Sequence, residues 1–374
     1  MQTVVSGIRP TGNLHLGNYF GAVRAFVELQ HQYDCRFFIA DWHSLTTHPK
    51  PEDIVRNAHT ILAEYLACGI DPEQATIYIQ SDVPEVLELY LYLNMNAYLG
   101  ELERTTSFKD KARQQPENVN AGLLTYPTLM AADILIHKGQ KVPVGKDQEQ
   151  NMEMARKFAR RFNNIYGVDY FTEPESFSLA GRGLKVPGLD GSGKMGKSEG
   201  NCIYLMDDEK TISKKVMKAV TDSGPTVENQ EKPEVIQNLF TFLELVSTPD
   251  VYKHYDDLYN SCQIRYGDLK KQLAADINAY CAPIRERIGE YSANSDLLKR
   301  IAREGAERAR EHAQKTLQEV RHIIGCRERD YLEKREIQGK IVQILPLQSG
   351  VGKASGKEWK KQEFVLETLE LSLI

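Results

Sequence analysis

The chain has 374 residues and a formal net charge of −5, with 41% apolar and 26% charged residues. At about 150 residues per domain, this length predicts two to three domains, and the composition excludes disordered, collagen-like and low-complexity proteins. No apolar run approaches the roughly 18 residues of a membrane span, and the first residues lack the basic and apolar segments of a secretory signal. The expected location is therefore the cytoplasm.

In chain order, the first 205 residues alternate β-rich runs with amphipathic helical stretches, the pattern of a parallel sheet covered by helices. The predicted strands span residues 3–7, 36–41 and 75–80, a further short strand ends within 143–145, and the predicted helices span 18–32, 52–68 and 148–163. From about Asp207 to about Gly325 only helical periodicity remains, with a helix start at 248–250 and a long amphipathic helix over 296–325. This change is the expected domain boundary.

The six cysteines are scattered, with no CxxC pair and no histidine cluster at metal-ligand spacing. This pattern argues against a zinc ribbon, an iron–sulfur site and a disulfide framework, so we expect reduced thiols and no metal held by the protein itself. The net charge lacks the overall basic bias of proteins that coat nucleic acids, although a local basic patch is compatible with an RNA partner.

The first motif is the turn SGIRPTGNLHLGN over residues 6–18, directly after the first predicted strand. A strand–turn–helix junction directs backbone N–H groups and the positive end of a helix toward one point, which suits a phosphate. The spacing matches neither the GxGxxG fingerprint nor a Walker loop. Taken alone, His15 in this turn is equally compatible with a histidine of the protein core.

The second motif is KMGKS over residues 194–198, within the glycine-rich run GLDGSGKMGKSEGN. Lys194 and Lys197 can place two ammonium groups on one polyphosphate, where they offset the charge that develops on a leaving pyrophosphate. Taken alone, this segment is also compatible with a flexible basic surface loop. The two motifs together favour the catalytic interpretation.

An HxGN turn followed about 180 residues later by a KMxKS loop resembles the two-part signature of class I aminoacyl-tRNA synthetases. Residues 1 to about 327 resemble the bacterial tryptophanyl-tRNA synthetases in many ordered blocks, among them DWHSLTT, YLACGIDP, YIQSDVP, GELERTTSFKDK and NAGLLTYPTLMAADIL. The resemblance implies an α/β fold, with a Rossmann-type parallel-sheet catalytic domain over 1–205. It also implies an α-helical C-terminal domain over 206–327 that binds the tRNA anticodon.

The same resemblance implies that the chain activates L-tryptophan with ATP to tryptophanyl-adenylate and pyrophosphate, and then esterifies tRNA(Trp). The expected assembly is a homodimer across which the tRNA reaches. Mg²⁺ is expected to arrive with ATP and to be bound mainly by the phosphates, because the motifs contain no carboxylate cage. In-line attack by the tryptophan carboxylate on the α-phosphorus needs positioning and charge stabilisation rather than a protein nucleophile.

The resemblance assigns catalytic roles to His15, Lys194 and Lys197. The ATP-binding residues that it implies are Arg9, Pro10, Thr11, Gly17, Asn18, Gly145, Lys146, Asp147, Val186, Lys194, Met195, Gly196, Lys197 and Ser198. The tryptophan-binding residues that it implies are Asp133, Tyr126, Gln148, Met130, His43, Val142 and Val144.

Asp133 is the residue that the family directs at the indole N–H. A carboxylate only accepts hydrogen bonds and indole N–H only donates, so the two match. Phenylalanine would leave the buried carboxylate unpaired, at a cost of about 1 to 3 kcal/mol or more. Outside the family context, the sequence favours a helix cap or an ion pair for Asp133, and Val142 is equally compatible with a plain core position.

Three residues depart from the family pattern. Gly196 replaces the middle serine of KMSKS, which removes a hydroxyl but keeps both lysines and the last serine. Lys146 stands where many relatives have an acidic residue, and Val5 occupies a position that is often aromatic. The resemblance therefore implies a backbone contact of Lys146 with ATP but no role for its side chain, and one wall of the tryptophan pocket differs from the family at Val5.

The tail over 328–374 lies outside the family pattern. Two runs, EIQGKIVQILP and EWKKQEFVLET, predict two strands joined by a glycine-rich loop. They faintly resemble the opening strands of a small OB-like domain, which needs five strands, so we expect a β-rich extension holding a partial OB-like segment.

Two other functions stay open at this point. One is the tyrosyl enzyme of the same fold, against which the MAADIL and VPVGKDQ blocks argue. The other is a non-catalytic sensor of tryptophan or ATP, for which Gly196 is the only hint.

Overall fold

The structure is a computed structural model that describes residues 1–145, 148–177 and 186–326, together with the backbone of 339–344, 348–351, 358–361 and 364–368. Residues Met1–Ile324 form one compact unit, and Gly325–Ile374 form a second one. In the described part of the chain, no helix combines the length and the apolar character that crossing a bilayer requires.

A parallel sheet forms the centre of the first unit. Its described strands are β1 (Thr3–Ile8), β2 (Asp34–Ile39), β3 (Thr76–Ile79), β4 (Lys141–Pro143) and β5 (Glu175–Phe177). The order across the sheet is β3-β2-β1-β4-β5, and all neighbouring pairs are parallel. The chain therefore builds outward from β1 first on one side and then on the other, so the strand order reverses between β1 and β4. The predicted parallel sheet is confirmed.

Helices connect the strands and continue after the last of them. Before β4 they are α1 (Leu16–Asn18), a π-helical segment (Tyr19–Val23), α2 (Arg24–Leu29), α3 (Asp41–Ser44), α4 (Pro51–Ala67), α5 (Glu85–Asn94), α6 (Leu99–Leu102), α7 (Thr106–Gln114), α8 (Ala121–Leu124) and α9 (Tyr126–Leu135). After β4 they are α10 (Glu149–Tyr166), α11 (Glu209–Met217), α12 (Glu234–Val246), α13 (Pro249–Asn260), α14 (Tyr266–Ala293) and α15 (Ser295–Ile323). The helix start predicted at 248–250 is confirmed, with a proline in the first helical position of α13.

The strands separate two apolar cores, one on each face of the sheet, because successive side chains of a strand point to opposite faces. Val4 and Phe37 belong to the first core, which also contains the buried apolar residues of α4, α12, α13 and α14. Val5 and Phe38, the next residues along the same strands, belong to the second core with α5, α9, α10 and the last turns of α15. The sheet and the helices after residue 206 therefore share the first core. The domain boundary at 205 stays a prediction.

Helix α15 lies directly against β3, and Gly305 makes this contact possible. A Cβ atom at position 305 would lie 1.7 Å from the carbonyl oxygen of Ile77, well inside any permitted contact. Glycine is required here because its lack of a side chain lets two backbones approach closely.

Three sequence-based expectations differ from the structure. The helix expected over 18–32 begins at Leu16, passes through the π-helical segment and ends at Leu29. Strand β5 was not predicted, because three residues of sequence ESF carry neither an apolar run nor an alternating pattern. The strand expected over 36–41 ends at Ile39, since Asp41 already begins α3.

The second unit contains four described strands, so the expectation of two strands is wrong. Strand β6 (Gly339–Ile344) pairs with β9 (Phe364–Thr368), and β7 (Gln348–Val351) pairs with β8 (Glu358–Lys361), both antiparallel. One predicted run, EWKKQEFVLET, contains both β8 and β9, because its pattern of apolar residues does not mark the break between them. The partial OB-like identity stays a prediction.

Candidate active site

A cavity of about 340 Å³ opens at the carboxyl ends of β1, β2 and β4, beside the point where the strand order reverses. Ligands of open parallel sheets bind at such a point. Every residue predicted to bind tryptophan lines it except Asp133. Of the described residues predicted to bind ATP, three also line it. These lining residues are His43, Tyr126, Met130, Val142, Val144 and Gln148, with Arg9, Asn18 and Gly145. Val5, the position that departs from the family pattern, is fully buried in the cavity wall.

The turn after β1 is held by a reciprocal cap at the start of α1. The Asn18 backbone N–H donates to His15 Nδ1 at 3.3 Å, and the His15 backbone N–H donates to Asn18 Oδ1 at 3.2 Å. Because Nδ1 accepts a hydrogen bond, the neutral ring carries its proton on Nε2. Burial, followed by the charges of Lys197 and Lys194, lowers the pKa of His15 to about 4. At neutral pH His15 is therefore an uncharged donor and not a cation.

Gly17 of this turn lies against the same ring. A Cβ atom at position 17 would lie 2.9 Å from the His15 imidazole and 3.3 Å from Met195 Cβ. The HxGN spacing thus lets the helix start pack against both the histidine and the KMGKS loop.

The turn also pairs with the segment that follows the KMGKS loop. The Leu16 backbone N–H donates to the Ile203 carbonyl at 2.9 Å, and the Leu205 backbone N–H donates to the Leu14 carbonyl at 3.0 Å. His15 and Tyr204 form an isolated antiparallel bridge between these contacts. The two sequence motifs are therefore joined through backbone hydrogen bonds.

The KMGKS loop itself is anchored at its centre. Met195 is buried, and its backbone N–H donates to the carbonyl of Val186 at 2.9 Å. The Gly196 backbone N–H donates to Asn201 Oδ1 at 2.9 Å. The φ angle of Gly196 is −152°, an extended conformation open to any residue, so the backbone at this departure from the family pattern does not demand glycine.

Lys197 reaches back to the turn after β1. Its Nζ donates to the Gly12 carbonyl at 2.9 Å and to the carbonyl and Oγ1 of Thr11 at 3.3 and 3.4 Å. Burial lowers the pKa of Lys197, and the nearby Glu64 opposes that shift. Lys194 is exposed, and its charge acts on His15. Both lysines and the histidine therefore lie at one place.

Asp133 lies on α9, three residues after Met130, and is 1% exposed. Its Oδ2 lies 2.8 Å from His43 Nε2, and Gln80 Nε2 donates to both carboxylate oxygens at 2.8 and 2.9 Å. Burial raises the pKa of Asp133, and the hydrogen bonds from His43 and Gln80 act in the opposite direction. The carboxylate therefore lies behind the cavity wall, in contact with the wall residue His43.

Two neighbours of these groups were not identified from the sequence. Gln80, fully buried just after β3, holds the Asp133 carboxylate, and the only sequence signal for it was its place in the YIQSDVP block. Lys111 on α7 is close enough to Arg9 for that charge to lower its pKa, after the larger effect of burial. Lys111 belongs to the GELERTTSFKDK block, whose pattern does not indicate a role for this lysine.

The remaining predicted positions divide in two. Pro10, Thr11 and Val186 lie in the turn after β1 or beside the KMGKS loop, as described above. Lys146, Asp147 and the side chain of Ser198 lie outside the described residues.

Residues 1–282 match the family described as tRNA synthetases class I (W and Y). The chain belongs to this family. This class I tRNA synthetase is 78% identical over 327 residues to the tryptophan–tRNA ligase of Porphyromonas gingivalis, covering 87% of the chain and 100% of that protein. It is 42% identical to the tryptophan–tRNA ligase of Fusobacterium nucleatum, covering 87% of the chain and 98% of that protein.

Among solved structures, it resembles the tryptophanyl-tRNA synthetase of Campylobacter jejuni complexed with ADP and tryptophan. The TM-score is 0.78 and the identity 38%, with 87% of this chain and 100% of that chain covered. The Rossmann-type fold expected for a class I synthetase is thereby confirmed.

Proposed function

We propose that this chain activates L-tryptophan with ATP, releases pyrophosphate, and transfers the tryptophanyl group to the 3′ end of tRNA(Trp). It is a tryptophan–tRNA ligase. The observation that supports this function is the contact of Lys197 with the carbonyls of Thr11 and Gly12, by which the signature lysine lies against the turn after β1, beside the cavity.

ATP would lie along the turn after β1, between the cavity and the KMGKS loop. Neutral His15 would donate from Nε2 to a phosphate oxygen. Lys197 would leave its carbonyl partners and bind the pyrophosphate. Lys194 and Arg9 would add two further positive charges beside the turn. Because the Lys197 ammonium group is held in place before the reaction, it would stabilise the negative charge that develops on the leaving group.

Tryptophan would occupy the cavity, with its ring between Met130, Val142 and Val144. Tyr126 and Gln148 would hold the α-ammonium group, and Asp133 would accept the indole N–H beside His43. A carboxylate offers about four acceptor sites, and the three contacts from His43 and Gln80 leave room for one more.

Mg²⁺ would be held by the phosphates of ATP. The turn and loop offer lysines, backbone carbonyls and a neutral histidine, and the described residues contain no group of three or more His, Cys, Asp or Glu side chains placed to bind a metal ion. These groups fit a Mg²⁺ ion that is chelated by the phosphate oxygens, because the lysines offset the negative charge of the phosphates. The protein's own part is to position the phosphates.

The synthetase would act as a homodimer in the cytoplasm, where tRNA is charged. An exposed apolar row supports the dimer: Leu87 and Leu91 on α5 are 41% and 50% exposed, and Met95 continues the same four-residue spacing at 73%. Tyr98 and Leu99, each 60% exposed, lie next to it in the sequence. Contiguous exposed apolar surface is typical of protein interfaces.

Amino-acid-dependent exchange of labelled pyrophosphate into ATP tests the activity. We expect tryptophan to support exchange and tyrosine and phenylalanine to support at most about 1% of that rate, because an acceptor-only carboxylate selects a ring that only donates. Faster exchange with tyrosine would identify a tyrosyl enzyme. Tryptophan or ATP binding without any exchange would identify a sensor instead.

Removal of the tail near Glu328 should leave aminoacylation and the melting temperature almost unchanged. Residues Met1–Ile324 already form a compact unit, and the four described strands of the tail form two-stranded sheets, an arrangement that is marginal by itself. Trp359, Phe364 and the lysines at 357, 360 and 361 offer the alternative of an RNA-binding surface. In that case truncation would weaken tRNA binding, most strongly at low salt, and leave tryptophan activation intact.

A further inference from the structure

Glu64 is a buried acid with no role in the activity derived above. It lies on α4 and is 0% exposed, between Ile61, Leu62, Tyr65 and Leu66, which are 0% to 5% exposed. An ionisable side chain in such surroundings is costly unless it has a polar partner. Its partner is the turn after β1.

The partner is the backbone N–H of Leu14, which donates to Glu64 Oε2 at 2.8 Å. Leu14 is also 0% exposed, so water cannot replace this acceptor. A buried backbone N–H without an acceptor is rare and costly. Glu64 therefore supplies the hydrogen bond that this part of the turn needs, across 50 residues of sequence.

The hydrogen bond from Leu14 to Glu64 fixes the part of the turn that lies between Gly12 and His15. The Leu14 carbonyl accepts from the Leu205 N–H at 3.0 Å. The N–H and the carbonyl of Leu14 are therefore both held in fixed directions. Gly12, two residues earlier, provides the carbonyl that holds Lys197, and His15 follows directly. Rotation of the Asn13–Leu14 peptide would displace both of these groups.

The second carboxyl oxygen supports a neutral acid at this position. Oε1 is buried and has no hydrogen-bond partner within the described part of the chain. Burial raises the pKa of Glu64 to about 8, against the opposing effects of the Leu14 N–H and of Lys197. The protonated acid would carry its proton on Oε1, since Oε2 accepts from Leu14. A glutamine side chain has nearly the same shape and offers the same acceptor.

We propose that Glu64 is a positioning residue for ATP, which acts through Leu14 on the turn that carries Gly12, His15 and the Lys197 contact. The inference rests on the proposed function, because it assigns the turn to ATP. Glu64 and Leu14 pack in the core on one face of the sheet, whereas Tyr126 and Met130 of the tryptophan pocket belong to α9 on the other face. Loss of the Glu64 carboxyl group should therefore weaken ATP binding and leave tryptophan binding unchanged.

Steady-state pyrophosphate exchange by the full chain tests the proposal, with KM measured separately for ATP and tryptophan. Glu64→Leu should raise the KM for ATP about tenfold or more and leave the KM for tryptophan within about twofold. Glu64→Gln, which keeps the acceptor, should restore the KM for ATP to near the wild-type value. Should Glu64→Leu fail to fold, Glu64→Asp serves in its place, because its shorter side chain cannot reach the Leu14 N–H.

Leu62→Ala is the matched control, since it opens a cavity in the same helix without removing an acceptor from the turn. It should lower the melting temperature without changing the ratio of the two KM values. Hydrogen exchange in peptides that cover residues 10–18 should accelerate in Glu64→Leu and not in Leu62→Ala. Equal changes of both KM values in Glu64→Leu, or the same loss in Glu64→Gln, would overturn the inference. Absence of tryptophan-dependent exchange in the wild-type protein would instead reject the proposed function.

Discussion

Lys197→Ala should lower kcat for tryptophan-dependent pyrophosphate exchange by about 10²- to 10³-fold, equivalent to about 3 to 4 kcal/mol. The ammonium group already lies 2.9 Å from the Gly12 carbonyl, in the turn to which the proposed mechanism assigns the leaving pyrophosphate. An interaction made mainly in the transition state affects kcat and not ground-state binding. The KM for tryptophan should therefore stay close to the wild-type value.

Lys218→Ala is the matched control for this measurement, because Lys218 is an exposed lysine just after α11. It removes the same charge from the surface and should leave kcat unchanged. Thermal unfolding of both variants checks that a lower kcat does not result from a folding defect. A Lys197→Ala protein that folds normally and retains kcat would show that this loop does not act on the pyrophosphate.

Asp133→Ala should lower kcat/KM for tryptophan by about 100-fold and also reduce discrimination between amino acids. The substitution removes the proposed acceptor of the indole N–H, and it leaves His43 Nε2 and Gln80 Nε2 without their buried partner. A tryptophan analogue with benzothiophene in place of indole separates the two effects, since it has the same shape and no N–H. Wild-type protein should prefer tryptophan over this analogue by about 10- to 100-fold.

In Asp133→Ala this preference should fall to near unity. Tyr78→Phe is the control, because it removes a buried hydroxyl that bonds to His137 Nε2 at 2.8 Å and does not line the cavity. It should reduce stability and keep the preference for tryptophan. If Asp133→Ala lowered kcat/KM for tryptophan and for the analogue by the same factor, Asp133 would act only by supporting His43.

The local features of this protein could be predicted from its sequence. The turn over residues 6–18 follows a strand and begins a helix, and its cap joins His15 and Asn18, which are three residues apart. Strands β1 to β3 and helices α4, α10 and α13 follow from periodicity and end signals that extend over a few residues. The break between β8 and β9 and the short strand β5 carry no such signal, so they were missed.

The site depends on pairs that are far apart in the sequence. Lys197 meets Gly12 across 185 residues, Gln80 meets Asp133 across 53, and Glu64 meets Leu14 across 50. The resemblance to a family placed the two signature motifs together. It did not indicate Glu64 as a support of the turn after β1, or Gln80 as a partner of Asp133. Nor did it indicate that the Asp133 carboxylate lies behind His43.

The physical reason is the range over which each signal acts. Caps, turns and amphipathic faces are set by neighbours within about four residues, because helix hydrogen bonds and side-chain periodicity have that range. Which buried donor meets which buried acceptor depends instead on the strand order β3-β2-β1-β4-β5 and on how the helices pack on the sheet. The sequence by itself therefore determined the chemistry of the motifs, and the tertiary structure decided which buried side chains hold them in place.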